Sequence, residues 1–300
     1  MTAPDATKQP TGLGLYTHAA EQAASQVIAA YSTSFGWATK LLGTDVRQSV
    51  KNIYALVRVA DEIVDGAAAE AAANGGEVKP GVELDQLEAD TYAALVNGFS
   101  ANLVVHAFAI TANEVGFGRE LIEPFFYSMR QDLVNQRYNQ AAFDRYVYGS
   151  AEVVGLMCLA AFIKYGGVEY TREEKLQLAA GARALGAAFQ KVNFLRDIAA
   201  DFNALGRSYF PNVTVDTFNN AERDRLVADI QADIDVASRE LPNLPKSSSC
   251  AVAACLMLFE ALNQRIAQTP ADLLVRTRIR VPNAQKLWIL IKARMGVTHG

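Results

Sequence analysis

Gly186 to Asp201 reads GAAFQKVNFLRDIAAD, and the spacing of its polar residues decides the fold. At about 100° per residue, Gly186, Gln190, Asn193 and Asp201 fall within about 40° of Asp197 on a helix otherwise made of Ala, Val, Leu and Phe. A surface helix would carry a broader and more charged polar face. A narrow stripe of amides and carboxylates between apolar flanks instead predicts the wall of an internal cavity, where polar groups must find partners.

A second acidic pair lies upstream in VRQSVKNIYALVRVADEIVDG, Val46 to Gly66. The same geometry places Tyr54, Arg58, Asp61 and Asp65 within about 60° of one another. Carboxylates one turn apart repel, and burial raises the cost. A cation removes it. Two such helices facing one another would gather Asp61, Asp65, Asn193, Asp197 and Asp201 around one pocket. Oxygen ligands of this kind suit Mg²⁺, with Mn²⁺ as the substitute, held jointly by carboxylates and substrate phosphate oxygens. The three histidines, His18, His106 and His299, have no ligand spacing to each other or to cysteine, which argues against zinc. Arg58, Arg196 and Arg207 lie in or just after the motifs, as counter-charges for diphosphate oxygens.

Apolar residues make up 51% of the 300-residue chain, Ala is abundant and β-branched runs are few. That composition favours packed helices. Periodicity and turn residues predict helices at about 16–30, 46–65, 84–97, 101–115, 119–136, 141–164, 172–203, 217–240, 248–267 and 283–294. Residues 1–14 read as a flexible tail and 15–296 as a single all-α domain around a central cavity. Two stretches lack order signals, 66–83 and 242–249. A formal net charge of −4 argues against a nucleic-acid partner. Cys158, Cys250 and Cys255 have no CxxC spacing, and the first residues lack a secretory layout, so free thiols in a cytoplasmic protein are expected. Charges interrupt the longest apolar stretches before the roughly 20 residues of a bilayer span.

The chain resembles the squalene/phytoene synthase family, and within it the bacterial phytoene synthases. The resemblance rests on YSTSF (Tyr31–Phe35), YALVRVADEIVD (Tyr54–Asp65), DLVNQRY (Asp132–Tyr138), YVYGSAEVVGLM (Tyr146–Met157), LGAAFQKVNFLRDIAAD (Leu185–Asp201) and GRSYFP (Gly206–Pro211), in the family's order. It implies a class I isoprenoid (terpenoid) synthase fold. Position by position, it implies Asp61 and Asp65 as the first metal motif and Asn193, Asp197 and Asp201 as the second. Diphosphate would meet Arg58, Arg196, Ser32 and Ser34, with Arg280 a looser match. Tyr146, Tyr148 and Gln190 would line the reaction cavity near Tyr54, with Arg207 and Tyr209 following the second motif. Glu152, where relatives have Gly, and Lys191, where they are apolar, depart from the pattern.

The implied reaction couples two geranylgeranyl diphosphates head to head, through a cyclopropyl diphosphate, to phytoene, without NADPH. The nearest rival within the family joins two farnesyl diphosphates to squalene or dehydrosqualene, and squalene needs a hydride. A terpene cyclase would show a DDxxD-like first motif and an N-x-x-x-S/T-x-x-x-E second one, which this chain lacks. A non-catalytic helical binding protein is disfavoured by the retained aspartates with Arg58, Asn193 and Arg196. RTRIRVPNAQKLWILIKAR, Arg276 to Arg294, is basic with Trp288 and aliphatic residues at helical spacing, the pattern of peripheral membrane contact.

Overall fold

The computed structural model describes residues 12–134, 137–204, 209–214 and 216–296. Its helices are α1 (Leu13–Tyr31), α2 (Thr33–Thr39), α3 (Thr44–Val64), α4 (Ala67–Ala73), α5 (Pro80–Asn97), α6 (Leu103–Val115), α7 (Arg119–Val134), α8 (Gln140–Val147), α9 (Val153–Tyr165), α10 (Arg172–Ala204), α11 (Asn220–Glu240), α12 (Lys246–Ala267), α13 (Ala271–Leu274) and α14 (Asn283–Arg294). The class is all-α, as expected.

The element ends follow local chemistry. The side-chain oxygens of Asn102, Asn139 and Asn219 accept hydrogen bonds from the first free N–H groups of α6, α8 and α11. Gly98 and Gly116 take left-handed conformations after α5 and α6. Pro80 opens α5 about a turn earlier than expected, where its missing N–H costs nothing. The segment after Gly66, expected to be unordered, forms α4, because AAAEAAA is built from strong helix formers. The YSTSF segment forms the short α2, capped by Ser32.

The helix expected over 141–164 is α8 and α9 joined through a π turn, Tyr148–Glu152. Three glycines explain how closely it packs. A Cβ on Gly149 would lie 2.1 Å from the Pro124 carbonyl oxygen of α7, and one on Gly186 of α10 would lie 2.5 Å from that of Ala151. Gly155 of α9 approaches the Ala182 carbonyl of α10 to 2.4 Å on the same measure. Helices α7, the π turn and α10 therefore touch backbone to backbone.

Two large apolar clusters form on either side of a cavity. One joins Ile53, Leu84, Phe108, Phe125 and Met157 from α3, α5, α6, α7 and α9. The other joins Leu195, Ile230, Leu256 and Phe259 from α10, α11 and α12 with residues of α13 and α14. The cavity between them has a volume of about 290 Å³ and is walled by α2, α3, the π turn, α9, α10, α11 and α12. Gln140–Tyr165 and Lys246–Ala267 are long and apolar enough to cross a bilayer by length and composition alone. Both contribute cavity wall, which explains an apolar surface on more than one side.

The departures from the family pattern point outward from this cavity. Lys191 lies 2.7 Å from Asp229 and 2.8 Å from Asp233 and so ties α10 to α11, and Glu152 lies 2.6 Å from Arg183. We expect Gly149→Ala to cost about 1–3 kcal/mol through overpacking against α7. Chemical denaturation measures it, and an unchanged midpoint would contradict the close packing described.

Candidate active site

Gly186, Gln190 and Asn193 all lie in the cavity wall, as the stripe on α10 requires. Tyr54 and Val57 of α3 face them across the same space. Phe35 of α2 bridges the two walls, its ring centroid 6.3 Å from that of Tyr54 and 5.6 Å from that of Phe189. Asp61 and Asp197 each lie one turn beyond the last lining residues, Val57 and Asn193. Both motifs thus stand at the same end of an apolar chamber.

Arginines already engage these carboxylates. Arg58 donates to Asp61 at 3.1 Å and also pairs with Glu62, while its guanidinium lies 4.6 Å from the ring centre of Tyr31. Burial among protein atoms, opposed by Arg58 and reinforced by Asp65, pushes the Asp61 carboxyl up to about 6. Its side chain is 46% open, so the setting is a partly wetted concavity rather than dry interior. A cation binding there competes with a proton. Asp65 is the exposed cap residue of α3, its N–H bonded to the Asp61 carbonyl at 2.9 Å.

On α10, Asp197 is held from two directions. Arg196 Nε donates to Oδ1 at 3.0 Å, and its other arm pairs with Oδ2. Arg278, 81 residues away, places Nε 2.7 Å from Oδ1 and donates to Oδ2 at 3.2 Å. The C-terminal arginine at the motif is thus Arg278, while Arg280 is exposed two residues on. Sequence spacing missed Arg278 because the contact is long-range.

The site suits a metal–diphosphate ligand on the chemistry of its donors. Asp197 draws two guanidinium groups, Asp61 is held partly towards its protonated form, and the buried Nε of Arg58 has no hydrogen-bond partner among the described residues. Among the described residues no three acidic, histidine or cysteine side chains form a closed metal cage. The side chains of Asp201 and Ser34, and all of Arg207, lie outside the described residues. Ser32 accepts from the Phe35 N–H at 3.1 Å and so caps α2 beside the cavity.

The tyrosines are placed differently from expectation. Gln190 lines the cavity; Tyr146 and Tyr148 are absent from its lining. The Tyr146 hydroxyl donates to both Asp132 oxygens at 2.8 and 2.9 Å, Tyr209 donates to the same carboxylate at 3.3 Å, and the Tyr209 ring stacks 4.0 Å from Phe194. Burial, followed by the charge of Asp132, holds the Tyr146 phenol well above its usual range. Tyr148 lies under Arg183, 5.2 Å from ring centre to guanidinium. Ser150 and Ala151 of the π turn do line the cavity. Of the other expected aromatics, Phe35, Tyr54 and Phe189 do line it. Asp132, in the DLVNQRY segment, is buried although Arg130 and Gln131 precede it, so its local sequence carries no signal of that role.

Comparison with known proteins agrees with this geometry. Residues 28–285 match the profile of the squalene/phytoene synthase family. Phytoene synthase 2 of Solanum lycopersicum is 31% identical over 205 residues, 67% of this chain and 61% of that protein. The chain thus spans less than two thirds of that curated relative. The 15-cis-phytoene synthase of a Paracoccus species is 28% identical over 283 residues, 89% and 88% of the two chains. Among solved structures, a dehydrosqualene synthase in complex with ligand superposes with a TM-score of 0.73 at 18% identity, covering 94% of this chain and 97% of that one, which establishes the isoprenoid synthase fold. With a profile match that runs through both aspartate motifs and the helices that wall the cavity between them, the chain belongs to the squalene/phytoene synthase family.

Proposed function

We propose that this protein is a prenyltransferase that couples two prenyl diphosphates head to head, with two geranylgeranyl diphosphates giving phytoene. The observation that carries the reading is the position of the arginine-paired carboxylates at one end of an apolar chamber. Curated relatives named phytoene synthase support the C20 form over the C15 squalene and dehydrosqualene alternatives.

Asp61, Asp65, Asn193, Asp197 and Asp201 would hold Mg²⁺, which when bound offsets the charge that develops on the diphosphate oxygens as the C–O bond breaks. Arg58, Arg196 and Arg278 present guanidinium forks to the same oxygens. Phe35, Tyr54 and Phe189 exclude water and turn aromatic faces toward the space where an allylic cation would form. Across the whole reaction two C–O bonds break, the two carbon skeletons join, both diphosphates leave and two protons are lost, one as the cyclopropyl diphosphate forms and one as the final cation is quenched. No hydride enters, so no nicotinamide is required.

The proposal extends to location, a cytoplasmic protein that meets the membrane through α14. Leu287, Trp288, Ile291 and Met295 are exposed along one side of this helix, and Lys292 and Arg294 follow in its last turn. An apolar stripe edged with cations suits an anionic lipid surface, the phase that holds a lipid-soluble product.

Asp61→Ala or Asp197→Ala should lower turnover by several orders of magnitude with the helical circular dichroism retained, and EDTA should abolish it in the unaltered protein. Activity that persists in either variant, or in EDTA, contradicts the proposal. Arg278→Ala should reduce kcat/KM by about 10- to 100-fold, the worth of a charged hydrogen bond, and Arg280→Ala by much less. Steady-state kinetics of both variants provide the check. Replacing Leu287, Trp288 and Ile291 together by Ser should release the protein from anionic vesicles in co-sedimentation; unchanged sedimentation would remove α14 from the account.

A further inference from the structure

The cavity has a legible depth. Along α10 its lining runs from Asn193, beside the aspartates, to Leu178, fifteen residues earlier, or about 22 Å at 1.5 Å per residue. Helix α9 runs antiparallel beside it, since Gly186 faces Ala151 and Gly155 faces Ala182. Phe162 therefore lies at the Leu178 end. It packs there with Leu42, Val50 and Ala251, and Leu244 also lines the cavity. One turn above this floor the α9 and α10 sides of the wall carry small residues, Gly155, Gly181 and Ala182, with the Glu240 side chain of α11 beside Gly181.

With carbon–carbon bonds of about 1.5 Å, an extended C20 prenyl tail spans roughly 19 Å and a C15 tail roughly 14 Å. The difference, one isoprene unit, is close to one turn of α10, about 5.4 Å. The level reached by a C15 tail is that of Ala182, about 16 Å below Asn193. A C20 tail must pass Ala182 and stop on Leu178 and Phe162.

We infer that α10 serves as a ruler for the prenyl tail, with the small side chain of Ala182 admitting the last isoprene unit and Leu178 and Phe162 closing the chamber behind it. The inference rests on the prenyl diphosphate reading and adds the residues that select the tail. A larger side chain at position 182 fills the lowest turn and excludes the C20 tail while leaving room for the C15 tail. Removing Phe162 deepens the floor.

The test is Mg²⁺-dependent diphosphate release by the full-length protein with C15, C20 and C25 prenyl diphosphates, each offered alone. The unaltered protein should favour C20 over C15. Ala182→Leu should shift the ratio of their kcat/KM values towards C15 by at least about tenfold, the effect of filling a hydrophobic pocket. Phe162→Ala, a truncation at the floor, should instead gain activity on C25. Thermal unfolding checks that each variant folds, and Phe162→Ala carries the test if Ala182→Leu does not. Ratios unchanged in both folded variants would overturn the ruler while leaving the diphosphate reading intact. Release from none of the three by the unaltered protein would overturn that reading itself.

Discussion

Carboxylates collected at the mouth of an apolar chamber repel one another, and they are stable there only when positive charge meets them. Asp197 meets it twice, from Arg196 in its own helix and from Arg278 on the segment before α14. Asp61 meets it in Arg58, which is itself braced by Glu62 and the Tyr31 ring. The arrangement binds the C-terminal segment to the second motif. In the proposed reaction the same guanidinium groups, freed when a cation takes the carboxylates, become partners for the departing diphosphate.

The backbone contacts serve that end in a different way. Gly149, Gly155 and Gly186 allow α7, the π turn, α9 and α10 to approach without intervening side chains, which fixes the register of the chamber's walls. Lys191 between Asp229 and Asp233 anchors α10 to α11 from the outside. Side chains then determine only the width and depth of the space. That is why substitutions at single small residues should alter what fits without disturbing the helices.

Much of this was legible in the sequence where the signal is local. The helix read at 172–203 is observed as Arg172–Ala204, and its stripe of Gly186, Gln190 and Asn193 does wall a cavity. Gly186 proves to serve helix contact rather than polarity. The glycines and proline of 66–83 masked α4, whose AAAEAAA stretch has the propensity to form a helix. The π turn was not legible, because one extra residue in a helical winding leaves no periodic mark, and neither was the burial of Tyr146 against Asp132, a partner from another helix. The contact of Arg278 with Asp197 was hidden by the chain length between them, and neighbouring Arg280 carries the same charge at almost the same place.

The central claim is that the two motifs act together, at the partly wetted mouth of an apolar chamber, to release diphosphate from the substrate. Incubation of the purified protein with Mg²⁺ and geranylgeranyl diphosphate, without any nicotinamide, tests it most directly when free diphosphate and extracted hydrocarbon are measured together. The account predicts two diphosphates released for each C40 hydrocarbon formed. A product that retains one C20 skeleton, or diphosphate released with no coupled hydrocarbon, would contradict it.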